Sequence, residues 1–385
     1  MKYSLLFLIP LLLTFSCDKL KSSKIEPNCE NIKADNADQC LRLNQIQVLG
    51  THNSYKLKPS DSLIQKINRE TPGWSTGLEY EHRPLSYQLE NLGIRKFELD
   101  IYADTAGGLF ANPKGAQLIG DGEYLGRTEM QKPGFKVIHI QDIDYRSTCL
   151  TLVDCLQEIK DWSVQNPKHL PIMIMLEVKQ GTPSPRGSFT FTKALDLNEE
   201  LVKGVDDEIW SVFEKDHAIT PDDVRGNYDT LEEAILTNGW PSLEQSRGKV
   251  IFALDNTNEV RNLYLAGNEV LQNRAAFVSS YPGESTAGFI KMNDVPEQGE
   301  EIKEYVEKGY IIRTRADIPT QEARSGDTTR RDLALQSGAH YISTDYPEAS
   351  PFDSTYIVRL PGTNNPGRCN PVSAPSSCKN EFITE

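Results

Sequence analysis

Short apolar segments rich in β-branched residues alternate with longer amphipathic segments along most of the chain, and this alternation strongly restricts the possible folds. The strand-like segments are residues 46–50, 95–101, 136–140, 171–176, 249–254, 275–278, 310–313 and 340–343. Helical periodicity occupies residues 84–92, 150–165, 191–213, 231–236, 300–307 and 320–337. Such alternation predicts parallel strands joined by right-handed crossovers, and eight repeats favour closure of the sheet. We therefore expect an α/β fold, a TIM-like (β/α)8 barrel with insertions after strands 2 and 4.

The N-terminal residues have the pattern of an export signal. Residues 1–16 carry Lys2 and then an apolar stretch that is too short for a confident membrane span. The residues directly before Cys17 resemble a bacterial lipobox, so Cys17 is a predicted lipidation site, with an ordinary signal peptide as the alternative. Both interpretations predict export, and the first predicts a lipid anchor in a bacterial membrane, facing the periplasm or the cell surface.

The predicted organisation has four parts. Residues 1–16 form the signal peptide, and residues 17–44 form a lipidated tether and N-terminal extension. Residues 45–360 form the barrel, and residues 361–385 form a C-terminal tail held by a disulfide.

Cysteine spacing supports export independently. With Cys17 set aside, six of the seven cysteines remain, and they fall into three local pairs. Close pairs outside any C-x-x-C spacing indicate disulfides in an oxidising compartment rather than zinc ligands. The predicted pairs, among several connectivities that six cysteines permit, are Cys29–Cys40, Cys149–Cys155 and Cys369–Cys378.

The formal net charge of −14 limits the possible partners. The charge argues against a nucleic-acid partner, because nucleic-acid binding requires a basic stripe. An acidic surface also has no general attraction to anionic lipid. An anionic substrate must therefore be held by a local cluster of cations. No protein partner is implied.

Polar side chains follow the predicted strands, where a barrel of this kind carries its functional groups. These strand-end residues are His52, Asn53, Glu98, Asp100, His139, Glu177, Lys179, Asp255, Ser279, Tyr281, Arg313, Arg315 and Asp345. Two histidines together with three carboxylates suggest metal-assisted phosphoryl chemistry. The other histidines, His82, His169, His217 and His340, are interpreted as structural.

Glu98 and Asp100 are two residues apart on one strand, so their side chains share a face. Two adjacent carboxylates repel each other unless a cation or a proton lies between them. Glu177 and the amide oxygen of Asn53 could complete an all-oxygen shell, which suits calcium or magnesium better than zinc. The alternative is a solvated or salt-bridged strand end.

Two cations are predicted to contact the substrate. Lys179 shares a strand face with Glu177, and Arg313 and Arg315 could together grip a phosphoryl group. The alternative for the arginines is salt bridges to the neighbouring Asp317 and Glu322. Of these residues, Lys179 and Arg313 are the predicted substrate contacts.

Several segments resemble the calcium-dependent phosphoinositide phospholipase C family of bacteria and fungi, within the phospholipase-C-like phosphodiesterase barrels. The matching segments run from the first to the last predicted strand, and they are residues 50–55, 88–100, 176–177, 219–224, 239–243, 247–249, 313–317 and 343–347. The combination of His52-Asn53, Glu98-x-Asp100, His139 and Leu176-Glu177 carries the specificity of this resemblance.

The resemblance implies roles for the matching residues. Asn53, Glu98, Asp100 and Glu177 would be calcium ligands, with calcium favoured over magnesium, and His52 and His139 would be the catalytic histidines. The implied reaction is attack of an inositol 2-hydroxyl on the adjacent phosphodiester, which releases diacylglycerol and leaves a cyclic or opened inositol phosphate. His139 is the expected acid, whereas the base is either His52 or a calcium-bound carboxylate. The expected substrate is phosphatidylinositol, or a glycosylated form of it, at a membrane surface.

Other functions stay open at this point. A glycerophosphodiester phosphodiesterase shares the barrel and the Glu-x-Asp pair, but that family usually has His-Arg-Gly where this chain has His52-Asn53-Ser54. A sphingomyelin-cleaving lyase is a related alternative. The non-enzymatic alternative is a surface lipoprotein that binds inositol phosphates in the same pocket.

Overall fold

A computed structural model describes residues 28–385. The predicted signal peptide and the predicted lipidation site Cys17 lie outside these residues. In the described part, no helix is long and apolar enough to cross a membrane. The strands are β1 (Ile46–Thr51), β2 (Lys96–Tyr102), β3 (Lys136–Val137), β4 (Ile172–Val178), β5 (Ala218–Ile219), β6 (Val250–Leu254), β7 (Ala276–Val278), β8 (Phe289–Lys291), β9 (Ile311–Arg315), β10 (Tyr341–Thr344) and β11 (Gly367–Cys369).

The helices lie between these strands and mostly follow the predicted periodicity. They are α1 (Ala37–Cys40), α2 (Asp61–Glu70), α3 (Leu85–Leu92), α4 (Lys114–Ile119), α5 (Leu152–Gln165), α6 (Glu199–Val212), α7 (Pro221–Arg225), α8 (Leu231–Thr237), α9 (Leu243–Ser246), α10 (Glu259–Leu265), α11 (Val295–Lys308), α12 (Gln321–Ser325) and α13 (Thr329–Gln336). The predicted helix 191–213 begins only at α6, where the side chain of Asn198 accepts a hydrogen bond from the Leu201 amide. The predicted helix 320–337 is divided at Gly326, whose φ of 69° ends α12.

Across residues 28–385, eight parallel strands surround the core in the order β1, β2, β4, β6, β7, β8, β9 and β10. A parallel bridge between Ser279 and Phe289 joins β7 to β8 and closes the ring. The longest pairing aligns Lys96–Ile101 of β2 with Met173–Val178 of β4. These strands are buried on both faces, which explains their nearly continuous apolar sequences. The predicted TIM-like (β/α)8 barrel is confirmed.

One predicted barrel strand is wrong. Residues 136–140 contribute only the short β3, which pairs antiparallel with Ile101 and Tyr102 at the end of β2. The eighth barrel position belongs instead to β8, a three-residue strand that the sequence analysis missed. Short apolar runs of this length are ambiguous, because only the tertiary partner distinguishes a barrel strand from a hairpin. His139 consequently lies between β3 and the following turn rather than at the tip of a barrel strand.

Two insertions project from the carboxyl-terminal mouth of the barrel. The first follows β2 and contains α4 and β3, and the second follows β4, the third barrel strand in order. Asp142 ties them together, since its side chain accepts hydrogen bonds from the Lys114 amide at 2.8 Å and the Thr192 hydroxyl at 3.1 Å. A separate apolar cluster, which includes Leu63, Tyr102 and Phe110, supports this region.

Local disulfides crosslink three segments of the described part of the chain. The three predicted disulfides are confirmed, with Cα–Cα distances of 5.2 Å for Cys29–Cys40, 5.3 Å for Cys149–Cys155 and 6.1 Å for Cys369–Cys378. The strand β11 pairs antiparallel with the start of β1. The tail therefore closes the amino-terminal end of the barrel, opposite the mouth.

Candidate active site

His52 follows β1 directly and is held in one tautomer by its neighbours. Its Nδ1–H donates to Oδ1 of Asp345 at 2.9 Å, and a guanidinium N–H of Arg315 donates to its Nε2 at 3.2 Å. Because a carboxylate only accepts hydrogen bonds, the proton lies on Nδ1 and the lone pair lies on Nε2. Burial, together with the charge of Arg315, lowers the pKa of His52 to about 4. The imidazole is therefore neutral, with its basic nitrogen 3.8 Å from Oε1 of Glu98.

Asn53 adopts a left-handed backbone conformation with φ of 46°, which asparagine tolerates better than most residues. Its side-chain Nδ2 donates to the hydroxyl of Tyr80 at 2.8 Å, so its Oδ1 is directed away from that ring. The same hydroxyl lies 3.3 Å from Nδ1 of His52, and the two rings stack with centroids 6.0 Å apart. The amide oxygen of Asn53 therefore remains available beside the first histidine.

Glu98 is buried between two cations. Its Oε2 accepts hydrogen bonds from Nζ of Lys96 at 2.6 Å and from the guanidinium of Arg313 at 2.5 Å. Although burial opposes ionisation, Arg313 and Lys96 hold the pKa of Glu98 well below its ordinary value. Glu98 is consequently a carboxylate with one oxygen, Oε1, turned toward His52.

Asp100 lies next along the same face of β2, and its environment is different. Both of its carboxylate oxygens are buried without a hydrogen-bond partner in the described part of the chain. Nζ of Lys179 lies 3.4 Å from Oδ2 of Asp100 and 3.2 Å from Oε1 of Glu177. Burial and the nearby Glu177 raise the pKa of Asp100 well above its ordinary value, against the opposing charge of Lys179. Asp100 is therefore a buried carboxyl group that receives no hydrogen bond in residues 28–385 and has Lys179 as its cationic neighbour.

These side chains fit an oxygen-ligated cation in their chemistry. Asn53, Glu98, Asp100 and Glu177 offer amide and carboxylate oxygens, which calcium prefers, and the unpartnered oxygens of Asp100 are available to one. As the side chains stand, no group of three or more His, Cys, Asp and Glu residues within residues 28–385 is arranged closely enough to hold a metal ion. Instead, Lys96, Arg313 and Lys179 partly neutralise the carboxylates.

His139 lies between β3 and a tight turn, in which the Asp144 amide donates to the Ile140 carbonyl at 2.9 Å. The Ile138 amide donates to the carbonyl of Asp100, which places His139 beside the end of β2. Nδ1–H of His139 donates to Oδ2 of Asp144 at 2.6 Å. The Asp144 carboxylate is fully buried, whereas the His139 side chain is 21% exposed. The second histidine is thus also oriented by a buried carboxylate, with its ring accessible from the mouth.

The structure brings the predicted residues of the mouth together, with changed surroundings for two of them. Arg313 is buried and donates to Glu98, Ser343 and Asn293, and Lys179 pairs with two of the predicted calcium ligands. Their predicted contacts with substrate stay a prediction.

Sequence reasoning missed the groups that orient the two histidines. Arg315 is predicted as a phosphoryl-binding residue and Asp345 as a strand-end residue, with neither linked to His52, and Lys56, Tyr80 and Asp144 were not recognised. No spacing signal identifies the last three, because they lie in loops that meet only in the folded chain. Among the histidines interpreted as structural, His82 donates from Nε2 to the carbonyl of His52 at 2.8 Å and supports the site from behind.

The model of one protein family, phosphoinositide phospholipase C, Ca2+-dependent, matches residues 41–371. Among solved structures, the calcium-dependent phosphoinositol-specific phospholipase C from Pseudomonas sp. in its apo crystal form 2 has 16% identity and a TM-score of 0.55, with 86% of this chain and 96% of that chain covered. The myoinositol complex of the Pseudomonas enzyme has 15% identity and a TM-score of 0.55, with 89% and 99% covered. No curated protein sequence matches the chain. The structural similarity supports the fold, and the family match spans the whole barrel. The chain therefore belongs to the Ca2+-dependent phosphoinositide phospholipase C family and is homologous to its phosphodiesterases.

Proposed function

We propose that the protein is a calcium-dependent phospholipase C that cleaves phosphatidylinositol, or a related phosphoinositide, to diacylglycerol and a cyclic inositol phosphate. The observation that carries this proposal is the pair of histidines, each held at Nδ1 by a buried aspartate, beside a set of oxygen donors at one barrel mouth. Family membership supports the same reaction class.

The proposed reaction is an internal transfer of the phosphoryl group. The inositol 2-hydroxyl oxygen forms a bond to phosphorus while the bond from phosphorus to the glycerol oxygen breaks. The hydroxyl proton passes to a base, and the glycerol oxygen takes a proton from an acid. Water can later open the cyclic phosphate by the reverse sequence of proton transfers.

His139 is the proposed acid, and His52 is one of two candidate bases. His139 is accessible, and its Nδ1–H is committed to Asp144, so Nε2 is the atom that would carry the transferred proton. His52 is neutral with its lone pair on Nε2, as a base requires. Glu98, whose Oε1 lies 3.8 Å from this nitrogen, is a carboxylate that could serve as the base instead.

Asn53, Glu98, Asp100 and Glu177 are the residues that would hold calcium. When bound, calcium would offset the negative charge of the phosphoryl oxygens and favour ionisation of the 2-hydroxyl. The Asp100 carboxylate supports this assignment, because it receives no hydrogen bond in residues 28–385 and shares the single ammonium of Lys179 with Glu177, so calcium would compensate its buried charge further.

Cations near the site would hold the anionic substrate, as the overall charge of −14 requires. Lys179 is partly exposed at the mouth, with 21% of its side chain accessible, and is a proposed contact for the phosphate. Arg313 is buried and pairs with Glu98, and it is the second proposed contact for the substrate.

The proposed location is outside the cytoplasm, with a lipid anchor at Cys17. The three disulfides support export, since such bonds persist in oxidising compartments. An anchored enzyme would meet its lipid substrate at a membrane surface.

The first test is to incubate purified residues 18–385 with phosphatidylinositol vesicles, with calcium or with a chelator, and to follow the products by phosphorus NMR. A cyclic inositol phosphate that forms only with calcium is expected. The His52→Ala and His139→Ala proteins serve as inactive controls.

Glycerophosphocholine and sphingomyelin are compared in the same assay. Hydrolysis of the first would favour a glycerophosphodiester phosphodiesterase, and cleavage of the second would favour the lyase. Binding of inositol phosphate without turnover of any substrate would favour the non-enzymatic alternative.

A further inference from the structure

Lys56 is a fully buried lysine between the two catalytic segments. Its Nζ donates to the carbonyl oxygens of Leu78 at 2.7 Å and Tyr80 at 2.9 Å. The same ammonium lies 3.4 Å from Oδ1 of Asp144 and 4.3 Å from the centre of the Tyr80 ring. A buried ammonium is costly unless it is paired, so these contacts indicate a specific position for the charge.

Asp144 depends on this ammonium. Its Oδ2 accepts the hydrogen bond from His139, whereas its Oδ1 has no hydrogen-bond partner in residues 28–385. Among those residues, Lys56 is the one lysine or arginine within ion-pair distance of Asp144. Without Lys56, the carboxylate would be buried with no compensating cation, and its position beside the histidine would not be held.

The backbone explains how Lys56 reaches this place. The Thr148 amide donates to the Tyr55 carbonyl at 2.8 Å, and the Leu57 amide donates to the Arg146 carbonyl at 3.1 Å. This short antiparallel contact joins the segment after β1 to the end of the insertion after β2. Lys56 therefore lies where the segments that carry His52 and His139 meet.

We propose that Lys56 is a positioning residue for the reaction, because its buried ammonium keeps Asp144 in place as the carboxylate that orients His139. Through the carbonyl of Tyr80 the ammonium also fixes the residue whose hydroxyl lies 3.3 Å from Nδ1 of His52. One buried charge thus connects the supports of both histidines. This inference rests on the proposed function, in which His139 is the acid that protonates the glycerol oxygen.

The experiment uses the dependence of an acid catalyst on its leaving group. Phosphatidylinositol releases an alkoxide that must be protonated, whereas p-nitrophenyl inositol phosphate releases a phenolate that leaves without help. General acids typically contribute about 100-fold to 10,000-fold in rate. We expect Lys56→Met to lower kcat on phosphatidylinositol by about 100-fold with little change in KM, and to lower kcat on the aryl substrate by less than about 10-fold.

Two further variants show whether Lys56 affects kcat through Asp144. Asp144→Asn should show the same preference for the aryl substrate, and the double variant should be no worse than Asp144→Asn alone, because both changes act on one unit. Lys58→Met is the matched control, since Lys58 is a nearby lysine that pairs with Asp61 at the surface. The control should behave as the wild type.

A spectroscopic measurement tests the role of Lys56 without relying on activity or on a single variant. The proton shared by His139 and Asp144 should give a low-field signal in the wild-type proton NMR spectrum, assigned by its loss in His139→Ala. This signal should be lost in Lys56→Met and kept in Lys58→Met. If Lys56→Met does not fold, Asp144→Asn must still show the leaving-group preference.

The outcomes are distinguishable. Equal losses of kcat on both substrates, or a His139 signal that persists in Lys56→Met, would overturn the role of Lys56. A wild-type protein that cleaves neither inositol substrate would reject the proposed function, while the NMR comparison would still decide whether Lys56 orients His139.

Discussion

Nζ of Lys179 lies 3.4 Å from Oδ2 of Asp100, a carboxylate that receives no hydrogen bond within residues 28–385. The same ammonium contacts Glu177 at 3.2 Å. Against the effect of burial, the two carboxylates raise the pKa of Lys179 above its ordinary value. Lys179 is therefore a tethered cation that any calcium ion at this site must compete with.

Removing that competitor should strengthen calcium binding. We expect Lys179→Met to lower the calcium dissociation constant by about 10-fold, which corresponds to about 1.4 kcal/mol. Asp100→Asn should weaken binding by at least a similar factor, because it removes the unsatisfied carboxylate. Isothermal titration calorimetry measures both constants. Lys193→Met, at an exposed pair with Asp196, is the control, and unchanged affinity in Asp100→Asn would argue against calcium at this position.

The Asp345 carboxylate should be essential for turnover, since it fixes the tautomer of His52. An amide at this position can present its N–H to Nδ1, which would favour the tautomer with the proton on Nε2. We expect Asp345→Asn to reduce kcat by about 100-fold to 10,000-fold, as in other enzymes with a histidine held by aspartate. Steady-state kinetics on phosphatidylinositol vesicles tests this. Asp353→Asn, at a partly exposed aspartate that accepts a hydrogen bond from the Thr355 hydroxyl, should be neutral, and full activity of Asp345→Asn would exclude a role for the tautomer.

The protein should lose stability as the pH falls from about 6.5 to about 4. Burial lowers the pKa values of His169 and His340 to about 4 in the folded state. The unfolded chain therefore binds protons that the folded chain excludes in this range, so the stabilisation present above pH 6.5 disappears on acidification. Each histidine contributes on the order of 3 kcal/mol to this loss. Urea unfolding at several pH values measures it.

A substitution identifies the histidine responsible. Nδ1 of His340 accepts from the Ile312 amide and its Nε2–H donates to the Asn44 carbonyl, so protonation breaks an existing hydrogen bond. His340→Gln should flatten the pH dependence of the unfolding free energy, at some cost in stability. His217→Gln, at an exposed histidine, should leave the slope as in the wild type. An identical slope in all three proteins would contradict the assignment.

The Cys149–Cys155 disulfide should affect both stability and catalysis. It closes a loop of six residues directly after the segment that carries Asp144, and loop-closure entropy predicts a loss of about 2 kcal/mol when both cysteines are replaced by serine. Because the loop supports Asp144, we also expect lower kcat. Replacing Cys369 and Cys378, far from the mouth, should cost a similar free energy with unchanged kcat. Equal kcat values for the two double variants would show that the Cys149–Cys155 disulfide does not support the catalytic site.

Much of the fold follows from local patterns in the chain. Seven of the eight predicted strand segments became barrel strands, because continuous apolar runs such as Ile172–Val178 are long enough to be read without tertiary context. The eighth barrel strand is Phe289–Lys291 and not the predicted residues 136–140. Both runs are too short for periodicity to predict which of them joins the barrel.

The candidate site also contains residues that the sequence could predict and residues that it could not. His52, Asn53, Glu98, Asp100 and Glu177 could be predicted because each lies within or directly after a barrel strand, where barrel geometry fixes the direction of the side chain. The supports of the site could not be predicted, since Lys56 meets Asp144 and His52 meets Asp345 across separations of 88 and 293 residues.

The sequence alone determined the alternation of elements, the three local disulfides and the identity of the polar residues at the mouth, because these depend on periodicity and short loops. The tertiary structure alone decided which strand completes the barrel, which cation neutralises each carboxylate and which aspartate orients each histidine. Those choices depend on the burial of charged groups, whose partners are selected by distance in the folded chain rather than by spacing along it.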